Sequence, residues 1–107
     1  RALAADSATI LAAREGGRLV GTAMTGHDGH RGWVYYLAVA EDCRGKGIAC
    51  ALMQAAETWC ELAGRPRLNL MVRVGNAAVL SFYAALGYRQ SGVVVFQKDL
   101  EPPAVSA

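Results

Sequence analysis

Two spacings of apolar residues divide this chain. Residues 8–14 (ATILAAR) and 19–26 (LVGTAMTG) stand on either side of Glu15-Gly16-Gly17-Arg18, and two such runs across a two-glycine turn predict a β-hairpin. Residues 26–32 (GHDGHRG) supply the next turn, and the unbroken bulky run 33–39 (WVYYLAV) predicts a central strand covered on both faces. Strict alternation along that strand puts Tyr35 and Tyr36 on opposite faces, one packed under a helix and the other available to a pocket. After the polar turn at 40–47 the spacing changes to three and four, at Ile48, Leu52, Ala55, Ala56, Trp59 and Leu62. This is one face of a helix over about 47–63, stopped by Gly64 and Pro66. Residues 68–72 (LNLMV) read as a second buried strand. Asn76 then caps a helix whose inward positions are Val79, Phe82, Tyr83 and Leu86 and which ends at Gly87. A last strand is expected at 93–99 (VVVFQKD), and 100–107 reads as an unstructured tail.

The order β-β-β-α-β-α-β describes an α+β (α/β) domain with a mixed sheet, in which an antiparallel meander leads into a parallel β-α-β unit. The strands at 33–39 and 68–72 are the parallel neighbours, because a crossover of this length is what a parallel pair requires. Chemistry is then expected at their carboxyl ends. One domain over 1–107 is expected, since a chain of 107 residues builds one core and not two.

Composition narrows the function classes. The 53% apolar share rests heavily on alanine, and no run approaches the ~18 apolar residues of a membrane span. Net charge is +2, with the basic residues dispersed, which gives no reason to expect a nucleic-acid partner. Cys43, Cys50 and Cys60 are odd in number and lack the spacing of a zinc site. A reducing, cytoplasmic setting without a disulfide framework or a metal is therefore expected, with the cysteines as small apolar fillers. His27 and His30 flank a glycine-containing turn (HDGH) and are read as turn residues, since two ligands make a poor metal site.

Arg44-Gly45-Lys46-Gly47-Ile48-Ala49 lies between the strand and the first turn of the long helix. Backbone N–H groups without intrahelical partners gather there at the positive end of the helix dipole. Glycines let anion oxygens approach those amides, and Arg44 and Lys46 add charge at the rim. The spacing is neither that of a Walker A loop nor GxGxxG, whose third glycine is replaced by Cys50. On the residues alone, a phosphate site and a plain glycine-rich turn both stand.

The same six residues match Q/R-x-x-G-x-G/A, and with YYLAV before them and NAAVLSFYAALGY (76–88) after them the chain resembles the GCN5-related N-acetyltransferase (GNAT) superfamily. The likeness extends over most of 8–99 and is greatest to the small stand-alone bacterial YpeA-like branch. It implies acetyl-coenzyme A (acetyl-CoA) as cosubstrate and acetyl transfer to a primary amine, of a small molecule or a protein, by direct attack in a ternary complex. The backbone of Leu37, Ala38 and Val39 would pair with the pantetheine arm at a bulge that splays the parallel strands. Amides of Arg44, Gly45, Lys46, Gly47, Ile48 and Ala49 would hold the pyrophosphate. Asn76 would contact the coenzyme arm, and Tyr83 would stand at the thioester sulfur as proton donor. Packing is the competing reading of Tyr83. Val79 departs from the alanine frequent in the family.

No carboxylate lies on 33–39, and Glu41 stands beyond its end in a turn, so water or another segment is left as the base. Cys43, near the positive helix start, is given no covalent role. Family members carry a further strand and one or two helices ahead of the hairpin, which wall the acceptor pocket. Their absence here predicts an N-terminal truncation and an exposed apolar patch that a homodimer would cover. The alternative function is a coenzyme-binding or oligomerisation module without transfer activity.

Overall fold

The computed structural model describes residues 7–73 and 75–100. Within them run β1 (Ala8–Glu15), β2 (Arg18–His27), β3 (Gly32–Val39), a 3-10 turn (Glu41–Cys43), α1 (Ile48–Leu62), β4 (Leu68–Leu70) and α2 (Ala77–Ala85). The chain divides after Asn76 into two compact units, and α2 belongs to the second. Among the described residues no helix is long and apolar enough to cross a membrane.

In the first unit the sheet order is β1-β2-β3-β4, antiparallel except for the parallel β3–β4 pair. The β1–β2 connection is the expected two-residue turn. Gly16 and Gly17 have φ of 58° and 82°, the left-handed pair whose twist matches that of the flanking strands. The hairpin register shifts between Ala13 and Arg14, leaving Val20 as the extra residue of β2.

Helix α1 lies on one face of this sheet, and the glycines of the strands decide how closely. A Cβ on Gly21 would lie 3.0 Å from both Ile48 Cγ2 and Leu52 Cδ1. Gly21, Ala23 and Thr25 follow one another on the helix-facing side, with Ala23 and Thr25 fully buried. The buried residues of α1 are Leu52, Met53, Ala56 and Cys60. The packed face is therefore rotated from the one expected: Met53 and Cys60 are on it, whereas Ala55 is exposed and Leu62 is 84% exposed. Trp59 is half-buried against His27, ring centroids 5.7 Å apart. At the other end Gly64, φ 77°, stops the helix as read, with Arg65 N–H donating to Cys60 O.

Thr25 Oγ1 donates to Trp33 O at 2.8 Å and lies 3.7 Å from Cys60 Sγ, which burial gives a raised pKa. A Cβ on Gly32 would overlap that sulfur and stand 3.0 Å from Cys60 Cβ. Turning the sulfur aside would open the Thr25 contact, so Gly32→Ala is expected to destabilise the protein by about 2 kcal/mol, as overpacking a filled core does. Urea denaturation is the check, and an unchanged midpoint would mean that α1 shifts freely on the sheet.

The last expected strand does not form. Residues 93–99 have no regular structure and enter none of the ladders, and Val94 and Phe96 are 82% and 92% exposed. β-propensity is a preference for a pleated, partnered surface, and an apolar run without a partner strand does not hold the conformation alone. β4 is likewise shorter than 68–72, because its pairing with β3 stops at Leu70. The tail beyond residue 100 lies outside the described residues.

Candidate functional site

The parallel pair is short. Gly32, Trp33 and Val34 of β3 face Leu68, Asn69 and Leu70 of β4, and the ladder ends there. At the same point the β2–β3 register slips, because Met24 faces Tyr36 while Thr25 faces Val34. Tyr35 is the extra residue of a bulge. Beyond it β3 stays paired to β2 through Val39, and among the described residues no ladder holds its other edge. An extended ligand can add to such an edge by main-chain hydrogen bonds. Leu37, Ala38 and Val39 occupy this stretch, and the bulge lies just before them.

The bulge also corrects the expectation for the two tyrosines. Tyr36 faces Met24, whose neighbours Ala23 and Thr25 turn towards α1. The Tyr35 ring lies over Gly26, where an added Cβ would stand 2.9 Å from its Cε2. Both side chains therefore project from the face away from α1, 53% and 44% exposed, and neither packs under α1. On that face Ile10, paired with Met24, is exposed as well.

From Val39 the chain enters the glycine loop. Ala40 N–H donates to Val20 O at 2.8 Å, and Cys43 N–H to Ala40 O at 2.9 Å, closing the 3-10 turn. The Cys43 side chain is buried beneath it, a packing role, and Glu41 is exposed. Gly45 and Gly47 have φ of 83° and 82°, and a Cβ on either would meet nothing within 4 Å. Gly47 is the N-cap of α1, its carbonyl accepting from Ala51 N–H at 3.0 Å. The amides of Ile48 and Ala49 head the helix, whose first turn holds no acidic residue to offset the dipole. Successive amides in left-handed backbone form a concavity suited to an anion. Arg44 and Lys46 are exposed, and Lys46 Nζ lies 3.4 Å from Glu15 Oε1.

Asp28, Gly29 and His30 of the HDGH segment form the turn as read, whereas His27 is the last residue of β2, paired with Gly32. Asp28 Oδ1 accepts from the backbone N–H of His30 and Arg31, and Asp28 Oδ2 accepts from Trp33 Nε1. These bonds hold the Asp28 carboxyl well below the usual carboxylate range.

The structure thus brings Leu37, Ala38, Val39 and the loop 44–49 together along one strand-to-helix passage of the first unit. Asn76 closes that unit, exposed, directly ahead of α2. In the second unit Val79, Phe82, Tyr83 and Leu86 are half-buried, as the spacing predicts, and Tyr88 joins them. The Tyr83 ring meets Phe82 and Tyr88 edge-on, at centroid distances of 5.0 and 5.7 Å. Burial moves its hydroxyl above the ordinary value of about 10.

Sequence reasoning missed Arg18 and Asp42. Arg18 Nη1 and Nη2 donate to Asp42 Oδ2 and Oδ1, both at 2.8 Å, which ties the hairpin to the 3-10 turn. The partners are 24 residues apart in the chain, and no local signal connects them.

Residues 1–88 match the model of the acetyltransferase (GNAT) family. An acetyltransferase of Sodalis glossinidius is 46% identical over 101 residues, covering 94% of this chain and 71% of its own length. One of Yersinia enterocolitica is 42% identical over 100 residues, with the same coverage. Among solved structures, the aminoglycoside N-acetyltransferase AAC(6')-Iy in complex with CoA superimposes with a TM-score of 0.82 at 20% identity, covering 92% of this chain and 70% of that one. An aminoglycoside acetyltransferase from an uncultured soil metagenomic sample, in complex with sisomicin, gives 0.80 at 17% identity, covering 90% and 68%. At such identities the likeness is one of fold.

Proposed function

The chain belongs to the acetyltransferase (GNAT) family, and on that premise we propose that it transfers the acetyl group of acetyl-CoA to a primary amine by direct attack in a ternary complex. One observation carries this reading: the unladdered edge of β3 runs from the Tyr35 bulge into a loop whose two left-handed glycines leave backbone amides open at a helix start.

The pantetheine arm lies along Leu37, Ala38 and Val39 as an added strand, and the pyrophosphate takes the amides from Gly45 to Ala49, that of Arg44 donating to Glu41 O at the end of the 3-10 turn. Asn76 contacts the arm. The amine, in its neutral form, attacks the thioester carbonyl carbon, so that a C–N bond forms and the carbonyl oxygen gains charge. Backbone N–H at Val39 stabilises that oxyanion. Collapse breaks the C–S bond, the thiolate takes a proton from the Tyr83 hydroxyl, and the nitrogen loses its proton to water.

The acceptor is the amine of a small molecule or of a protein. The solved structures support amines as a class, since one of the similar enzymes is held with sisomicin.

Calorimetric titration with acetyl-CoA, with pantetheine as the ligand lacking the pyrophosphate, tests the loop. Micromolar binding to acetyl-CoA and none to pantetheine is expected. Turnover with a panel of primary amines tests the transfer. Binding without turnover would make the chain a coenzyme-binding module, and a folded chain that binds neither ligand would overturn the reading.

A further inference from the structure

The glycine loop is poorly restrained by its own residues. Gly45 and Gly47 touch nothing at their Cα substituent positions, and residues 44–47 are exposed. Side chains at the tip of the β1–β2 hairpin reach across to it. Arg18, the first residue of β2, grips both carboxylate oxygens of Asp42 at 2.8 Å, and its Nη1 lies 3.9 Å from the buried Cys43 Sγ. Glu15, which faces Arg18 in the hairpin register, meets Lys46 farther along the loop.

We propose that this hairpin tip is a positioning clamp for the coenzyme loop, with Arg18 and Asp42 as positioning residues that fix the turn from which the amides of residues 45–49 take their aim. The inference rests on the reading of that loop as the pyrophosphate site.

Three considerations support a positioning role over a stabilising one. The side chains are 56% and 63% exposed, where an ion pair adds little to global stability. A guanidinium bound to both oxygens of a carboxylate accepts one mutual orientation, so the contact restricts geometry more than it adds energy. Asp42 also stands two residues ahead of Arg44, inside the 3-10 turn, so any tilt of the turn is passed directly to the loop. The Arg18 hydrogen bonds hold the Asp42 carboxyl down at about 2, and the pair stays ionised throughout the neutral range.

A competing role for Arg18 is simple neutralisation of a carboxylate near an anion site, and the two roles predict opposite signs for one variant. If Arg18 only cancels charge, Asp42→Asn leaves coenzyme affinity unchanged or tightens it. If the pair is a clamp, Asp42→Asn weakens binding although a negative charge has been removed.

The experiment titrates acetyl-CoA into the wild type, Arg18→Gln, Asp42→Asn and the reversed pair Arg18→Asp/Asp42→Arg. It also follows amide hydrogen exchange at residues 44–49 without coenzyme. Each single variant is expected to weaken binding about fivefold, the range of a well-formed surface pair, and to speed exchange of the loop amides by a similar factor. The reversed pair is expected to recover most of both, with thermal midpoints little changed. Asp42→Asn binding as tightly as the wild type would overturn the clamp. Should the wild type not bind acetyl-CoA, the pyrophosphate reading fails by itself. Exchange then decides the clamp, faster loop exchange in the single variants supporting it and unchanged exchange overturning it.

Discussion

Gly47→Val is expected to lower the affinity for acetyl-CoA about a hundredfold, equivalent to about 2.7 kcal/mol, in a chain that remains folded. No clash is involved, because a Cβ at Gly47 meets nothing within 4 Å. The cost lies in the backbone: φ is 82° and ψ 9°, a region that a β-branched residue enters only with strain. The loop escapes that strain by leaving the left-handed conformation, which turns the Ile48 and Ala49 amides off their common target. The valine methyl groups then stand in the space an anion would use. Helix α1 survives, since Ile48 and Leu52 stay docked over Gly21. Gly64→Val, with φ of 77° at the other end of the same helix, imposes a comparable strain and is expected to leave coenzyme affinity alone. Calorimetric titration of the two variants is the measurement. Equal affinities for Gly47→Val and wild type would remove the loop from the site.

Tyr83→Phe is expected to reduce kcat about a hundredfold with little change in KM, the low end of what one positioned proton donor contributes. The ring packs between Phe82 and Tyr88, and phenylalanine keeps both contacts, so folding is not the quantity at risk. Burial raises the hydroxyl pKa above its ordinary value of about 10. A donor must be protonated to act, so its contribution is present below that pKa and lost as pH rises through it. The alkaline limb due to Tyr83 therefore lies above pH 10, and the phenylalanine variant has no such limb. A kcat equal to that of the wild type would leave Tyr83 as a packing residue.

The parts of the fold legible in the sequence are those written in local chemistry. Gly16 and Gly17 mark the hairpin because a two-residue turn of that hand requires positive φ twice, and Gly64 marks the end of α1 for a related reason. The loop at 44–49 was legible as an alternation of glycines at a helix start. Illegible features depend on partners elsewhere in the chain. Nothing in WVYYLAV signals a bulge at Tyr35, because register is settled by hydrogen bonds to β2. The packed face of α1 includes Cys60 because Gly32 admits its side chain there, a decision made by the strands. The strand expected at 93–99 was inferred from residue type, and residue type does not supply a neighbour. Arg18 and Asp42 come together only after the hairpin and the 3-10 turn have both formed.

The sheet order β1-β2-β3-β4 repeats the order of synthesis. Each later strand among the described residues pairs with the strand made just before it, β2 and β3 across short turns and β4 only after α1 has been made. The two antiparallel ladders can close before α1 has docked on them. The glycine loop, by contrast, has neither its helix dipole nor its docking over Gly21 until α1 is complete. Competence to hold the coenzyme is thus expected late in folding, and chains truncated before Leu62 should show no affinity for acetyl-CoA.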